Sequence, residues 1–168
     1  MASNSGTPMT TTFAARGRSP WTTVLWGGFI LGTVDLLFVC AFWGALRGIA
    51  PERILQSIAA GVQGKAAFDG GADSALLGAA CHYFIATMMV LAYYVASGRM
   101  RSLIEHPLRY GLSYGVLLYC VMTYVVVPLS NAPQPTKVYL PWMAASIIMH
   151  AAFGVVCAWF ARRAHVRD

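Results

Sequence analysis

The stretch at 29–42, FILGTVDLLFVCAF, is oily throughout except for one aspartate, Asp35, at its middle. The nearest basic residues along the chain are Arg18 and Arg47, so no neighbour in sequence can neutralise the carboxylate. Whether the stretch lies in water or in lipid is decided by the rest of the composition. Of 168 residues, 58% are hydrophobic and 11% charged, and the mean hydropathy is +0.59. Soluble domains carry about a quarter charged residues, so this chain has too little polar surface to cover itself in water. Lipid has to do the covering.

Four stretches reach the roughly 20 residues that a helix needs to cross a hydrocarbon core. They are 22–46, 74–97, 107–129 and 139–161. Backbone groups in lipid must be satisfied within the segment, so each stretch predicts a helix. The expected fold is an all-α integral membrane protein. It is a four-helix bundle in one membrane domain, 20–163, between a Ser/Thr/Gly-rich disordered arm, 1–19, and a tail, 164–168. Arg16 and Arg18 precede the first apolar run as in a secretory signal. That run is too long for a signal core and lacks a small-residue cleavage site, so it reads as an uncleaved span.

Arg16, Arg18, Arg99, Arg101, Arg109, Arg162, Arg163 and Arg167 fall on one side of this topology. Arg47, Arg53, Lys65 and Lys137 fall on the other, largely offset by Glu52, Asp69 and Asp73. The positive-inside rule then puts both termini in the cytoplasm. The net charge of +6 follows from the topology and calls for no nucleic acid. Trp21, Trp142 and Trp159 lie near span ends, as aromatic belts do.

The first outer loop contains PERILQSIAAGVQG, 51–64, with Pro51 suited to a first helical position. Ile54, Leu55, Ile58 and Val62 share one face, opposite Glu52, Arg53, Gln56 and Gln63, which predicts a short amphipathic lid helix. Gly70–Gly71 reads as a turn and Asp73 as a helix N-cap. The second outer loop holds Pro128, Pro133, Pro135 and Pro141 and should be extended, with Pro141 opening the last helix.

Helices in lipid associate through small residues that let backbones approach. Gly28 and Gly32 lead to Asp35 on the first span; Gly78, His82 and Ala86 recur on the second. Gly111 and Gly115 lead to Tyr119 and Thr123 on the third; Ser146, His150 and Gly154 recur on the fourth. With 1.5 Å of rise per residue, Asp35, His82, His150 and Tyr119 reach comparable depths, so an interior Asp–His–His–Tyr cluster is expected. Ionisable groups inside a membrane cost a few kcal/mol each on insertion scales and face the protein interior. Three readings fit. One is a structural hydrogen-bond network, another a proton or ion relay through Asp35, His82 and His150. The third is haem b or a divalent metal held by His82 and His150, with Asp35 as a third candidate ligand.

Cys40, Cys81, Cys120 and Cys157 fall one per span and read as small buried apolar residues rather than disulfides. No Walker loop, GxSxG or HExxH marks an enzyme. The segments HYFIATMMVLAYY (82–94), YGLSYGVLLYCVMTYVVVPL (110–129) and LPWMAASIIMHAAFGVVCAWFARR (140–163) resemble the YagU-like proteins of bacterial inner membranes. The resemblance implies location and architecture, with His82 and His150 at matching positions. It implies a link to acid tolerance but no reaction. The leading expectation is therefore a small non-enzymatic membrane protein whose polar core handles protons or a solute, or tunes association with partners. The alternatives are a redox or metal-binding subunit and a structural accessory subunit of a larger complex. Four helices leave little room for a pore in one protomer, so transport would favour a homo-oligomer.

Overall fold

The structure, a computed structural model, describes residues 19–134 and 137–165. The expected disordered arm and most of the tail lie outside the described residues, as does Pro135. The chain is all-α: α1 (Pro20–Arg47), α2 (Pro51–Gln63), α3 (Gly71–Arg99), α4 (Ser102–Glu105), α5 (Pro107–Val121), α6 (Val127–Leu129) and α7 (Leu140–His165). A 3₁₀ segment, Gly64–Asp69, links α2 to α3, and a π-helical segment, Met122–Val126, joins α5 to α6. Four helical stretches are long and apolar enough to cross a membrane: Pro20–Arg47, Gly71–Arg99, Pro107–Leu129 and Leu140–His165.

Local chemistry sets the helix ends. Pro20, Pro51 and Pro107 each open a helix, where a missing N–H costs nothing. α1 stops at Gly48, whose φ of 64° is the left-handed conformation that returns its N–H to the Gly44 carbonyl at 2.9 Å. Arg162, Arg163 and His165 crowd the last turn of α7, at the negative end of its dipole. The third span is not the uninterrupted α-helix that its hydropathy predicts. Pro128 offers no N–H and its ring crowds the Tyr124 carbonyl one turn back, and the ladder widens into the π segment just before it.

α1, α3 and α7 pack against one another, and α5 lies against α7. The α5–α7 contact is very close. A Cβ at Gly115 would run into the His150 carbonyl, and one at Gly154 into the Gly111 carbonyl. Gly28 and Gly32 hold α1 against α3, at Thr87 and Tyr83 respectively. Tyr114 on α5 reaches α3 by donating to the Met89 carbonyl at 2.7 Å. α1 and α5, by contrast, share no packed face.

Tyr93, Val90, Phe153, Cys157 and Phe160 form the buried core of this half of the bundle. The opposite faces are apolar and exposed, for example Leu25, Leu37, Phe84, Leu117 and Ile148. Only 11% of the apolar window of α1 is buried. A fold that turns most of its leucines outward is built for lipid rather than water.

Several expectations need correction. The lid helix α2 buries Ile54, Gln56, Ala59 and Ala60, while Val62 is exposed. Gln56 is buried because it donates to the Gly71 carbonyl at 3.2 Å, which satisfies its amide and turns the helix from its hydrophobic face. Gly78 does not join the shared interior; a Cβ there would strike the Leu55 carbonyl of α2, so this glycine seats the lid. Asp73 lies inside the first turn of α3 and caps nothing, because the helix already begins at Gly71. Of the four cysteines only Cys157 is buried, and Cys120 is exposed on the outer side of α5.

Candidate functional site

A cavity of about 680 Å³ opens between α1, α3, α7 and the π segment, roofed by α2. On α1 its wall is a stripe repeating every four residues: Leu31, Asp35, Val39, Trp43 and Arg47. α7 contributes a second stripe of the same period, Trp142, Ser146 and His150, and α3 contributes His82. Thr123 reaches it from the π segment, where the extra backbone residue changes the helix face presented to α1.

The carboxylate of Asp35 finds its partner on α3. His82 Nε2 lies 3.8 Å from Asp35 Oδ2 and 2.9 Å from the Gly32 carbonyl. A carbonyl can only accept, so His82 carries its proton on Nε2 and donates it to Gly32 beside the carboxylate. Among the described residues this is the only acid–base pair within 4.0 Å. The Gly32 backbone is reachable because a Cβ there would already meet the Tyr83 ring, at 2.8 Å; the glycine brings α1 and α3 close enough for the bond.

His150 stands on another wall of the cavity. Its Nδ1 donates to the Ser146 carbonyl one turn back, at 2.8 Å, which leaves Nε2 free on the cavity side. Tyr119 does not line the cavity and meets His150 edge-on, with centroids 5.7 Å apart. The expected four-residue cluster is thus resolved into an Asp35–His82 pair at 3.8 Å, His150 on the α7 wall of the same cavity, and Tyr119 against the His150 ring. Nor is the pair sealed in a core: the Asp35 side chain keeps 25% of its exposure and His82 13%. Both side chains line the cavity, which is the reason.

The geometry also bears on a bound metal. No group of three or more His, Cys, Asp or Glu among the described residues is placed to hold one. Asp35, His82 and His150 are not gathered as a ligand set, and the Nε2 that a bis-histidine haem would need from His82 is engaged by Gly32.

Above the pair, towards α2, an aromatic collar closes in. Trp43 and Trp142 lie with centroids 5.3 Å apart, Phe42 is 5.2 Å from Trp142, and Arg47 and Arg53 stand at the mouth. Trp142 therefore serves the collar as well as a span end. Sequence reasoning missed this collar and both arginines. The signal was the four-residue period from Asp35 to Arg47, obscured by following the glycines instead. It also missed His165, which stacks on Tyr94 at 4.6 Å and sits 3.0 Å from Ser97 Oγ, tying the end of α7 to α3.

The site and its scaffold define a multi-pass α-helical membrane protein with a polar pair facing a cavity. No family model, curated protein or solved structure matches the chain.

Proposed function

We propose that this chain is a small non-enzymatic inner-membrane protein, with both termini cytoplasmic, that handles protons or a small solute through the Asp35–His82 pair. One observation carries the reading: an ionisable pair at 3.8 Å faces a cavity at membrane depth instead of being packed into the core. A purely structural pair is better served by burial and complete hydrogen bonding. Exposure to a water-accessible cavity is what proton exchange requires, and intramembrane carboxylate–histidine chains are the usual material of proton relays. His150, with its free Nε2 on the same cavity, is the natural second station. The resemblance to YagU-like proteins, with its link to acid tolerance, agrees with this reading.

Proteoliposomes with a trapped pH dye test it. After an external acid step, wild-type protein should dissipate the gradient faster than Asp35→Asn, which keeps size and hydrogen bonding but cannot carry a proton. Equal rates for wild type, Asp35→Asn and protein-free vesicles would end the proton reading.

A further inference from the structure

The mouth of the cavity holds two cations that the Asp35–His82 pair does not use. Arg47, the last residue of α1, lies over the Trp43 and Tyr139 rings, 5.5 and 5.4 Å from their centroids. Arg53, on α2, lies 4.2 Å over the Phe68 ring and commits Nη1 to the Phe68 carbonyl at 2.9 Å. Among the described residues neither guanidinium has a carboxylate within 4.0 Å. Aromatic stacking thus holds both in place while leaving their remaining N–H donors for something else.

Below the arginines the wall is largely apolar. Trp43 and Trp142 form the collar, and Leu36 and Val39 continue the surface inward. Leu31 and Arg47, both on this wall, are separated by about 24 Å of helix at 1.5 Å per residue. A volume of about 680 Å³ falls in the roughly 300–1,000 Å³ range of sites for one small molecule. Cations at one end of a largely apolar space are complementary to an amphiphile with an anionic head and an apolar chain.

We infer that the cavity binds a long-chain fatty acid, its carboxylate held by Arg47 and Arg53 and its chain running inward past Trp43 and Trp142. The planar guanidinium fork matches a carboxylate in geometry as well as charge. This site shares its cavity with the Asp35–His82 pair, but the head group is held by two arginines outside that pair.

A brominated long-chain fatty acid, which quenches tryptophan on contact, tests the inference on the full chain in a neutral detergent. The acid should quench saturably, with a midpoint at least about tenfold lower than that of its uncharged methyl ester. Arg47→Gln with Arg53→Gln should raise the midpoint of the acid by about tenfold. Trp43→Phe with Trp142→Phe should remove most of the saturable signal, because Trp21, Trp26 and Trp159 are exposed on outer faces. Equal midpoints for acid and ester would overturn the inference, and that comparison needs no variant, so it decides even if the arginine substitutions unfold the protein. Loss of binding in Asp35→Asn with binding kept in the arginine variant would also overturn it, by placing the head at the pair.

Discussion

His82 donates its Nε2 proton to the Gly32 carbonyl at 2.9 Å while Asp35 waits 3.8 Å from the same nitrogen. One imidazole thus couples a helix–helix backbone contact to a carboxylate. Asp35→Asn and His82→Ala should therefore be non-additive in thermal stability, with a coupling of about 0.5–3 kcal/mol. The corresponding cycle with His150→Ala should show the smaller coupling, since His150 is bonded to its own helix. Equal couplings, or additivity in the His82 cycle, would remove the pair from the account.

The glycines should differ in tolerance according to what faces them. A Cβ at Gly115 meets the His150 carbonyl and the Ala151 Cα, both backbone. One at Gly32 first meets the Tyr83 ring at 2.8 Å, a side chain rather than backbone. Gly115→Ala should lower stability by about 1–3 kcal/mol, the usual cost of overpacking, and Gly32→Ala by less. Melting curves in detergent rank the two. Gly115→Leu and Gly32→Leu should both disrupt the bundle, since lipid offers no compensating hydrophobic gain.

At the far end of the bundle, His165 combines a ring stack on Tyr94 with hydrogen-bond contacts to Ser97 Oγ at 3.0 Å and the Tyr94 carbonyl at 3.2 Å. Ser97 keeps its own bond to the Tyr94 carbonyl, 2.8 Å, whatever happens to His165. His165→Phe should therefore cost no more than about 1 kcal/mol. His165→Ala, which loses the stack as well, should cost more, and the same melting assay separates them.

The proposed topology predicts opposite signals from reporter fusions at the C-terminus and at Lys137. The α2 lid and the arginine mouth then face away from the cytoplasm. A periplasmic signal from a fusion after Asp168 would invert the molecule and send the cavity mouth to the other side.

The fold was legible because lipid imposes a simple rule: about twenty apolar residues make a span, and four such runs are plain in the sequence. The close approaches were legible too, since Gly28, Gly32, Gly111, Gly115 and Gly154 are spaced at four or lie on one face. What the sequence does not carry is which helix each stripe meets. Gly78 looks like its counterparts but seats α2, and Gln56 sits on the polar side of α2 yet is buried by a bond to a loop carbonyl. The π segment depends on how the backbone relieves Pro128, which hydropathy does not register. Asp35, His82 and His150 were identifiable as costly residues in an oily setting. Which of them pair depends on how α1, α3 and α7 pack, a fact of contacts between distant segments.

The most direct test of the account is pH-difference infrared spectroscopy of the protein in membranes, which sees individual carboxyl groups gain and lose protons. A carboxyl band should titrate in the wild type, disappear in Asp35→Asn and shift its titration in His82→Gln. A band that is absent from the wild type, or one that titrates identically with and without His82, would contradict the claim that Asp35 and His82 form a proton-exchanging pair.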